Sequence, residues 1–286
     1  MHTFAYARPG TVAEAVAILA EHGSQARLLA GGTDLIIRLR DGSARPSIVV
    51  DTKRIADLGA AIQEADGLLV IGARAVMADI ARDPGVRRDF AALADAASVV
   101  GSVQIRNRAT LAGNICNGSP AADTAPSLLV FGAVVVAAGP GGVRRVPIDE
   151  FFVRSGVTTL AAGEIVTAIE LPLPAARAGS THVRRTRRRG HDLASVTLSC
   201  SVDERSVTRI AFGSVGPRPI LAVDVSGVLA DAGAPAAAKA AVLERMFADA
   251  SPSPRSMRAS PAYRLAMLRV LGARAVLAAS RRLAEG

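Results

Sequence analysis

Apolar and polar positions alternate in short blocks, which divides the chain into small, closely spaced elements. Residues 4–9 read as a short strand closed by Pro9. From Thr11 the period becomes helical. Val12, Val16, Leu19 and Ala20 share one face, Thr11 is a good N-cap, Glu14 completes a capping box, and Gly23 ends the helix. Residues 26–30 form a brief apolar strand running into Gly31-Gly32-Thr33-Asp34, and residues 35–39 read as a helical turn behind that glycine pair. Residues 47–51 and 68–72 read as strands, 89–99 as an alanine-rich helix, 126–131 as a helix and 133–138 as a buried strand. Farther on, residues 194–202 and 208–215 pattern as paired antiparallel strands, and 263–283 as one amphipathic helix with an arginine-rich face. This succession predicts a mixed α/β (α+β) organisation. Leu171-Pro172-Leu173-Pro174, followed by small residues to Ser180, is the best candidate domain boundary. No internal repeat is evident.

Composition narrows the class. The 286 residues suffice for one large domain or two ordinary ones. A hydrophobic share of 50% with 21% charged residues marks a globular chain rather than a disordered one. The longest apolar run, 127–138, contains a glycine and is too short to span a bilayer. The opening MHTFAYARPG lacks a basic head before an apolar stretch, so no secretory signal is expected. Cys116 and Cys200 cannot build a disulfide framework, an all-cysteine iron–sulfur cluster or a four-cysteine zinc site. The expected compartment is the cytoplasm.

The net charge of +9 is carried almost wholly by arginine, since lysine occurs only at Lys53 and Lys239. The densest run is Arg184-Arg185-Thr186-Arg187-Arg188-Arg189, which suits a solvated edge or loop, a protein interface or phosphate recognition. With two Tyr, seven Phe and no Trp the chain has few platforms for stacking bases, and no DNA- or RNA-binding motif is present. Nucleic acid is therefore not an expected partner.

Two constellations carry candidate chemistry. In Ala30-Gly31-Gly32-Thr33-Asp34, a glycine pair between strand and helix exposes successive backbone N–H groups and admits close approach, which suits a diphosphate. The plain alternative is a tight turn with Thr33 or Asp34 as helix N-cap. The second, Thr110 to Asp123, gathers small residues, two asparagines, a Ser-Pro turn and one acid. It suits the polar hydroxyls of a ligand or, alternatively, an Asx-rich connection that satisfies its own backbone. P-loop, Rossmann and nucleophile-elbow motifs are absent, and His2, His22, His182 and His191 show no metal-ligand spacing. Both cysteines read as small buried hydrophobes.

The two turns together resemble those of the flavoprotein subunits of molybdenum hydroxylases, the family of the carbon monoxide dehydrogenase medium subunit and the xanthine dehydrogenase FAD domain. Ala30 to Asp34 matches the first turn. Gln104-Ile105-Arg106-Asn107, Thr110-Leu111-Ala112-Gly113-Asn114 and Ser119-Pro120-Ala121-Ala122-Asp123 match the second region. Phe151-Phe152 with Glu164-Ile165, the element Arg188 to Ala194, Gly213 to Pro219 and Ser260 to Arg264 follow in family order. Ala112 departs from the pattern, standing where the family has the first glycine of a Gly-Gly pair. A methyl is tolerable there if φ is negative.

The resemblance implies a two-lobed FAD-binding domain of the vanillyl-alcohol-oxidase type over residues 1–175, with the lobes meeting near 52–58. A smaller α+β domain would occupy 176–286. It implies that Gly31, Gly32, Thr33 and Asp34 cradle the diphosphate of FAD. Thr110, Gly113, Asn114 and Asp123 would hold the diphosphate and ribityl chain, and Leu193 would lie at the isoalloxazine. Ala30, Ala112 and Asp192 complete the cofactor-binding set. No catalytic residue and no metal ligand is implied in this chain. FAD is expected to be non-covalent, because neither turn carries a His or Tyr and Cys116 falls beside the ribityl chain. The implied function is electron transfer from iron–sulfur clusters of a partner to an external acceptor. The implied partners are a small [2Fe-2S] subunit and a large molybdopterin subunit in a dimer of heterotrimers. The acceptor (NAD, quinone or oxygen) and the hydroxylated substrate stay open. A flavin-free interaction or assembly protein on the same fold is the alternative.

Overall fold

The computed structural model describes residues 2–188, 190 and 192–285, so that Arg189 and His191 of the basic element lie outside the described residues. The Thr11 hydroxyl accepts the Glu14 N–H at 3.1 Å and starts the helix Val12–His22, which ends at Gly23 with a φ of 50°. Glu14 returns its bond one residue before the expected capping box, accepting the Gly10 N–H at 2.7 Å. This helix leads into Ala26–Leu29. Strands Ala5–Ala7, Ile48–Asp51 and Ala26–Leu29 lie side by side in that order as a parallel sheet. Val49 and Val50 are buried in its central strand, as a covered parallel sheet requires.

A second, antiparallel sheet runs Ile62–Ala65, Leu68–Gly72, Ile165–Pro172, Val134–Gly139, Gly142–Pro147. Leu171 and Pro172 of the expected linker close its central strand, and the chain leaves the sheet at Leu173, whose N–H meets the Gly67 carbonyl at 2.9 Å. The alanine-rich helix spans Ala91–Val99, two residues shorter at its start than its pattern suggests because Phe90 turns inward. These two sheets and their helices share one core, which includes Ile71, Leu93, Leu111, Leu128 and Phe151.

The remaining strands, Ala178–Arg185, Val196–Asp203, Thr208–Gly213 and Ile220–Asp224, form a four-stranded antiparallel sheet with its own core around Leu198, Phe212 and Leu268. Phe212 and Phe247 meet edge to face at 5.3 Å within it. The helix Pro261–Glu285 packs against the first two of these strands. The strand Ala178–Arg185 has no apolar alternation, and its Ser180, Thr181 and His182 are all buried. It is covered on both sides, by the helix Pro261–Glu285 and by Ala91–Val99 of the first domain. Thr124–Val130 packs against the same sheet, and all seven of its residues are buried. Two helices of the first domain thus form the layer between the sheets.

Among the described residues, no helix is long and apolar enough to cross a membrane. Burial pushes both thiol pKa values up; Cys200 is buried as a whole residue, whereas Cys116 buries its thiol but leaves the rest of the residue exposed.

Candidate functional site

The first glycine turn follows the carboxyl end of Ala26–Leu29, beside the carboxyl end of Ile48–Asp51. This is where ligands of parallel sheets bind. Gly32 has a φ of 76°, a left-handed conformation natural to glycine, and its carbonyl accepts the Ile36 N–H at 3.0 Å to open the helix Leu35–Asp41. Asp34 occupies the cap position of that helix, but its side chain makes no capping bond.

Gly31 serves a different purpose. A Cβ there would lie 2.0 Å from the Arg108 carbonyl oxygen and 3.0 Å from the Ala109 Cα. The missing side chain lets the backbone just before Thr110 rest directly on the first turn. Seventy-odd residues of chain therefore end with the two turns in contact.

The second turn is built as a short capped helix, Leu111–Cys116, in which the Thr110 hydroxyl accepts the Gly113 N–H at 3.0 Å. An isolated antiparallel bridge between Val76 and Thr110 stitches it to the segment after the strand Leu68–Gly72, by Met77 N–H to the Ala109 carbonyl (2.9 Å) and Leu111 N–H to the Ala75 carbonyl (3.2 Å). Gly113 is exposed and Asn114 half-buried, and the Asn114 Oδ1 accepts the Thr124 hydroxyl at 2.6 Å. Ala112 is helical, without positive φ, and its methyl joins the main core. The departure from the family glycine is accommodated inside the protein.

Asn117, outside the expected set, bridges the turns. Its Oδ1 accepts from Arg38 Nη2 at 2.5 Å, and its Nδ2 donates to Asp34 Oδ1 at 3.4 Å. The Asp34–Arg38 spacing of four residues was a visible pairing signal, but the partner it found lies 79 residues away.

Asp123 is buried, and it too sits at a helix cap position without a capping bond. Its carboxylate faces the second domain. Oδ2 accepts from Arg184 Nη1 at 2.7 Å, and Oδ1 from the Thr197 hydroxyl at 3.0 Å, with His182 Nε2 at 3.5 Å. Arg184 and Arg185, expected in a loop or edge run, end the strand Ala178–Arg185. Arg184 Nη2 also donates to the Gly190 carbonyl at 3.4 Å, which ties the loop after Arg185 to the Asp123 side of the molecule. In that loop Leu193 is 46% exposed, enough to meet a ligand face. Asp192 behind it accepts the N–H groups of Arg187 and Leu193, both at 3.0 Å. Burial pushes the Asp192 pKa up, and the Arg187 N–H and guanidinium outweigh it, so the net displacement is downward.

The structure therefore brings Ala30 to Asp34 together with Thr110 to Asn114, and connects Asp123 with the Asp192–Leu193 loop through Arg184. A cleft of about 910 Å³ lies elsewhere, between Arg88, Asp89, Asp95, Leu173 and Arg282, and no expected site residue lines it.

Residues 2–174 match the family described as the FAD binding domain in molybdopterin dehydrogenase, and residues 181–279 match the CO dehydrogenase flavoprotein C-terminal domain. The chain is 34% identical over 271 residues to the xanthine dehydrogenase FAD-binding subunit of Escherichia coli O157:H7, covering 93% of this chain and 92% of that protein. It is 36% identical over 220 residues to the carbon monoxide dehydrogenase medium chain of Hydrogenophaga pseudoflava, covering 75% of each. Among solved structures, carbon monoxide dehydrogenase of Hydrogenophaga pseudoflava superposes with a TM-score of 0.88 at 32% identity over 98% of both chains.

Proposed function

The chain belongs to the FAD-binding flavoprotein subunits of the molybdenum hydroxylase family, and on that premise we propose that it carries electrons from iron–sulfur clusters of a partner subunit to an external acceptor. The observation that carries the reading is the contact between the two glycine turns, where Gly31 has no room for a side chain and Gly32 is left-handed. Such a seam offers backbone N–H groups at close range, and so fits a dianionic diphosphate.

In this reading Ala30 to Thr33 hold the diphosphate from one side, and Thr110, Ala112, Gly113 and Asn114 hold the diphosphate and ribityl chain from the other. Leu193 covers the isoalloxazine, while Asp192 fixes the loop that presents it. Asp123 anchors the ribityl end of the site through the second domain. Bound FAD supplies two-electron chemistry that can be taken up or released one electron at a time. The chain's own residues bind, orient and shield it, and no proton-transfer dyad is required.

The division of labour follows the domains, with residues 1–175 binding FAD in two lobes that meet near 52–58 and residues 176–286 closing the site. The assembly would join this chain to a small [2Fe-2S] subunit and a large molybdopterin subunit, as a cytoplasmic dimer of heterotrimers. The visible spectrum of the purified protein tests the reading, since the two absorption bands of an oxidised flavin are expected. A colourless protein that gains no bands on incubation with FAD would favour the flavin-free assembly role. FAD is non-covalent in this proposal, so acid precipitation should leave the yellow colour in the supernatant.

A further inference from the structure

Asp34 poses a physical difficulty for the first turn. It is an exposed carboxylate beside the place proposed for a dianionic diphosphate, where like charges repel. Its hydrogen bonding resolves the difficulty. Asp34 Oδ1 accepts from Asn117 Nδ2 at 3.4 Å, and Asn117 Oδ1 accepts from Arg38 Nη2 at 2.5 Å. The amide orientation is set by chemistry, because only its oxygen can accept from the guanidinium and only its nitrogen can donate to the carboxylate. One anion, one cation and one neutral bridge give the trio no net charge.

The trio also spans the two halves of the seam. Asp34 and Arg38 stand at the start and middle of the helix Leu35–Asp41, one turn apart. Asn117 is the C-cap of Leu111–Cys116, the helix that Thr110 opens. The turns already touch at their base, where the Arg108 carbonyl rests on Gly31. Asn117 adds a second tie at the other end of the same short helix. Two ties leave the second turn little freedom to pivot away from the first.

We propose that Asn117 is a positioning residue that fixes the spacing of the two glycine turns, and that Asp34 and Arg38 act through it rather than by contacting the diphosphate directly. The inference rests on the FAD-binding reading above and deepens it. A clamp of this kind sets the width of the slot for the linking phosphates. It therefore acts on FAD, which has a diphosphate and an adenosine half, more than on FMN, which ends at a single phosphate.

The test measures dissociation constants for FAD and FMN by flavin fluorescence, with the melting temperature of the flavin-free protein as a control. Asn117→Leu removes both bonds at similar volume and is expected to weaken FAD about tenfold, the effect of losing one to two hydrogen bonds, with a smaller change for FMN. The flavin-free melting temperature should stay near that of the wild type, because Arg38 and Asp34 are exposed. Combining Asn117→Asp with Asp34→Asn exchanges the two polar groups. Position 34 then donates, and position 117 still accepts from Arg38, so FAD affinity is expected to recover most of the loss. Wild-type FAD affinity in Asn117→Leu overturns the proposal. So does an equal loss for both flavins accompanied by a lower flavin-free melting temperature, which is the signature of a purely structural residue. Failure of the wild type to bind either flavin overturns the FAD reading beneath it.

Discussion

Asp123 and Arg184, 61 residues apart, form a 2.7 Å ion pair that joins the turn before the helix Thr124–Val130 to the leading strand of the second domain. Their side chains are only 7% and 14% exposed, and the Thr197 hydroxyl satisfies the remaining carboxylate oxygen. A pair so sheltered costs more to break than to lack, because one partner is left charged and unpaired.

Asp123→Asn should therefore destabilise the protein by about 2–4 kcal/mol with or without flavin, as Arg184 loses its counter-charge. Denaturant unfolding of holo and flavin-free forms checks this. A direct bond from Asp123 to the ribityl chain would add a further loss in the holo form alone. Unchanged stability in the flavin-free variant would show that the ion pair contributes nothing.

The two glycines of the first turn should fail in different ways. Gly31→Ala places a methyl 2.0 Å from the Arg108 carbonyl, and the backbone cannot yield cheaply, so poor folding is expected. Gly32→Val first meets the flexible tips of Leu29 and Ile36 but must hold a left-handed φ, a strain of about 1–2 kcal/mol. It should fold, with a near-native circular dichroism spectrum, and retain little flavin. A Gly32→Val protein with full flavin content would remove the first turn from the cofactor site.

The tail helix calls for separating two neighbouring arginines. Arg282 donates to Asp95 at 2.7 Å and to the Ser180 carbonyl at 2.6 Å, and Arg264 is buried against the Ser214 carbonyl, whereas Arg274 and Arg281 are exposed. Arg282→Glu should lower stability by itself, by about 1 kcal/mol given the partial exposure of the pair. Reversal of Arg274 and Arg281 to Glu should leave melting unchanged and impair copurification with an iron–sulfur subunit. Undisturbed assembly after that double reversal would exclude this face from the docking surface.

Acid sensitivity has a local source at Glu164. Arg144 holds the Glu164 carboxyl below the usual carboxylate range, through a 2.6 Å bond from Nε, against a smaller opposing effect of burial. The stabilisation is fully present above the unfolded pKa of about 4.3 and is lost as pH falls through the lower folded value. Glu164→Gln should therefore be less stable than the wild type at neutral pH and converge with it in acid. Parallel stability curves down to pH 2 would contradict this assignment.

What the sequence disclosed, and what it hid, follows from the range of each interaction. Thr11 and Gly23 frame a helix with signals a few residues away, and residues 133–138 carry their burial as an unbroken apolar run. Both glycine turns are visible because glycine is locally conspicuous. The strand Ala178–Arg185 was invisible because Ser180, Thr181 and His182 are buried by elements far off in sequence, and polar residues give no period to detect. The partners of Asp123 and Asn117 escaped for the same reason. Each side chain has several local options, and the fold selects a distant one.

The helix Thr124–Val130 begins one residue after Asp123 and has no solvent-facing side at all. A segment wetted on no face needs both halves of the molecule to cover it. Severing the chain near residue 175 would strip one wall from it and leave Asp123 attached to a greasy, unshielded plug. The two halves are thus not interchangeable cassettes. Any natural recombination or engineered graft that swaps the rear half must carry a replacement surface for these seven residues, or forfeit solubility before flavin binding can be assessed.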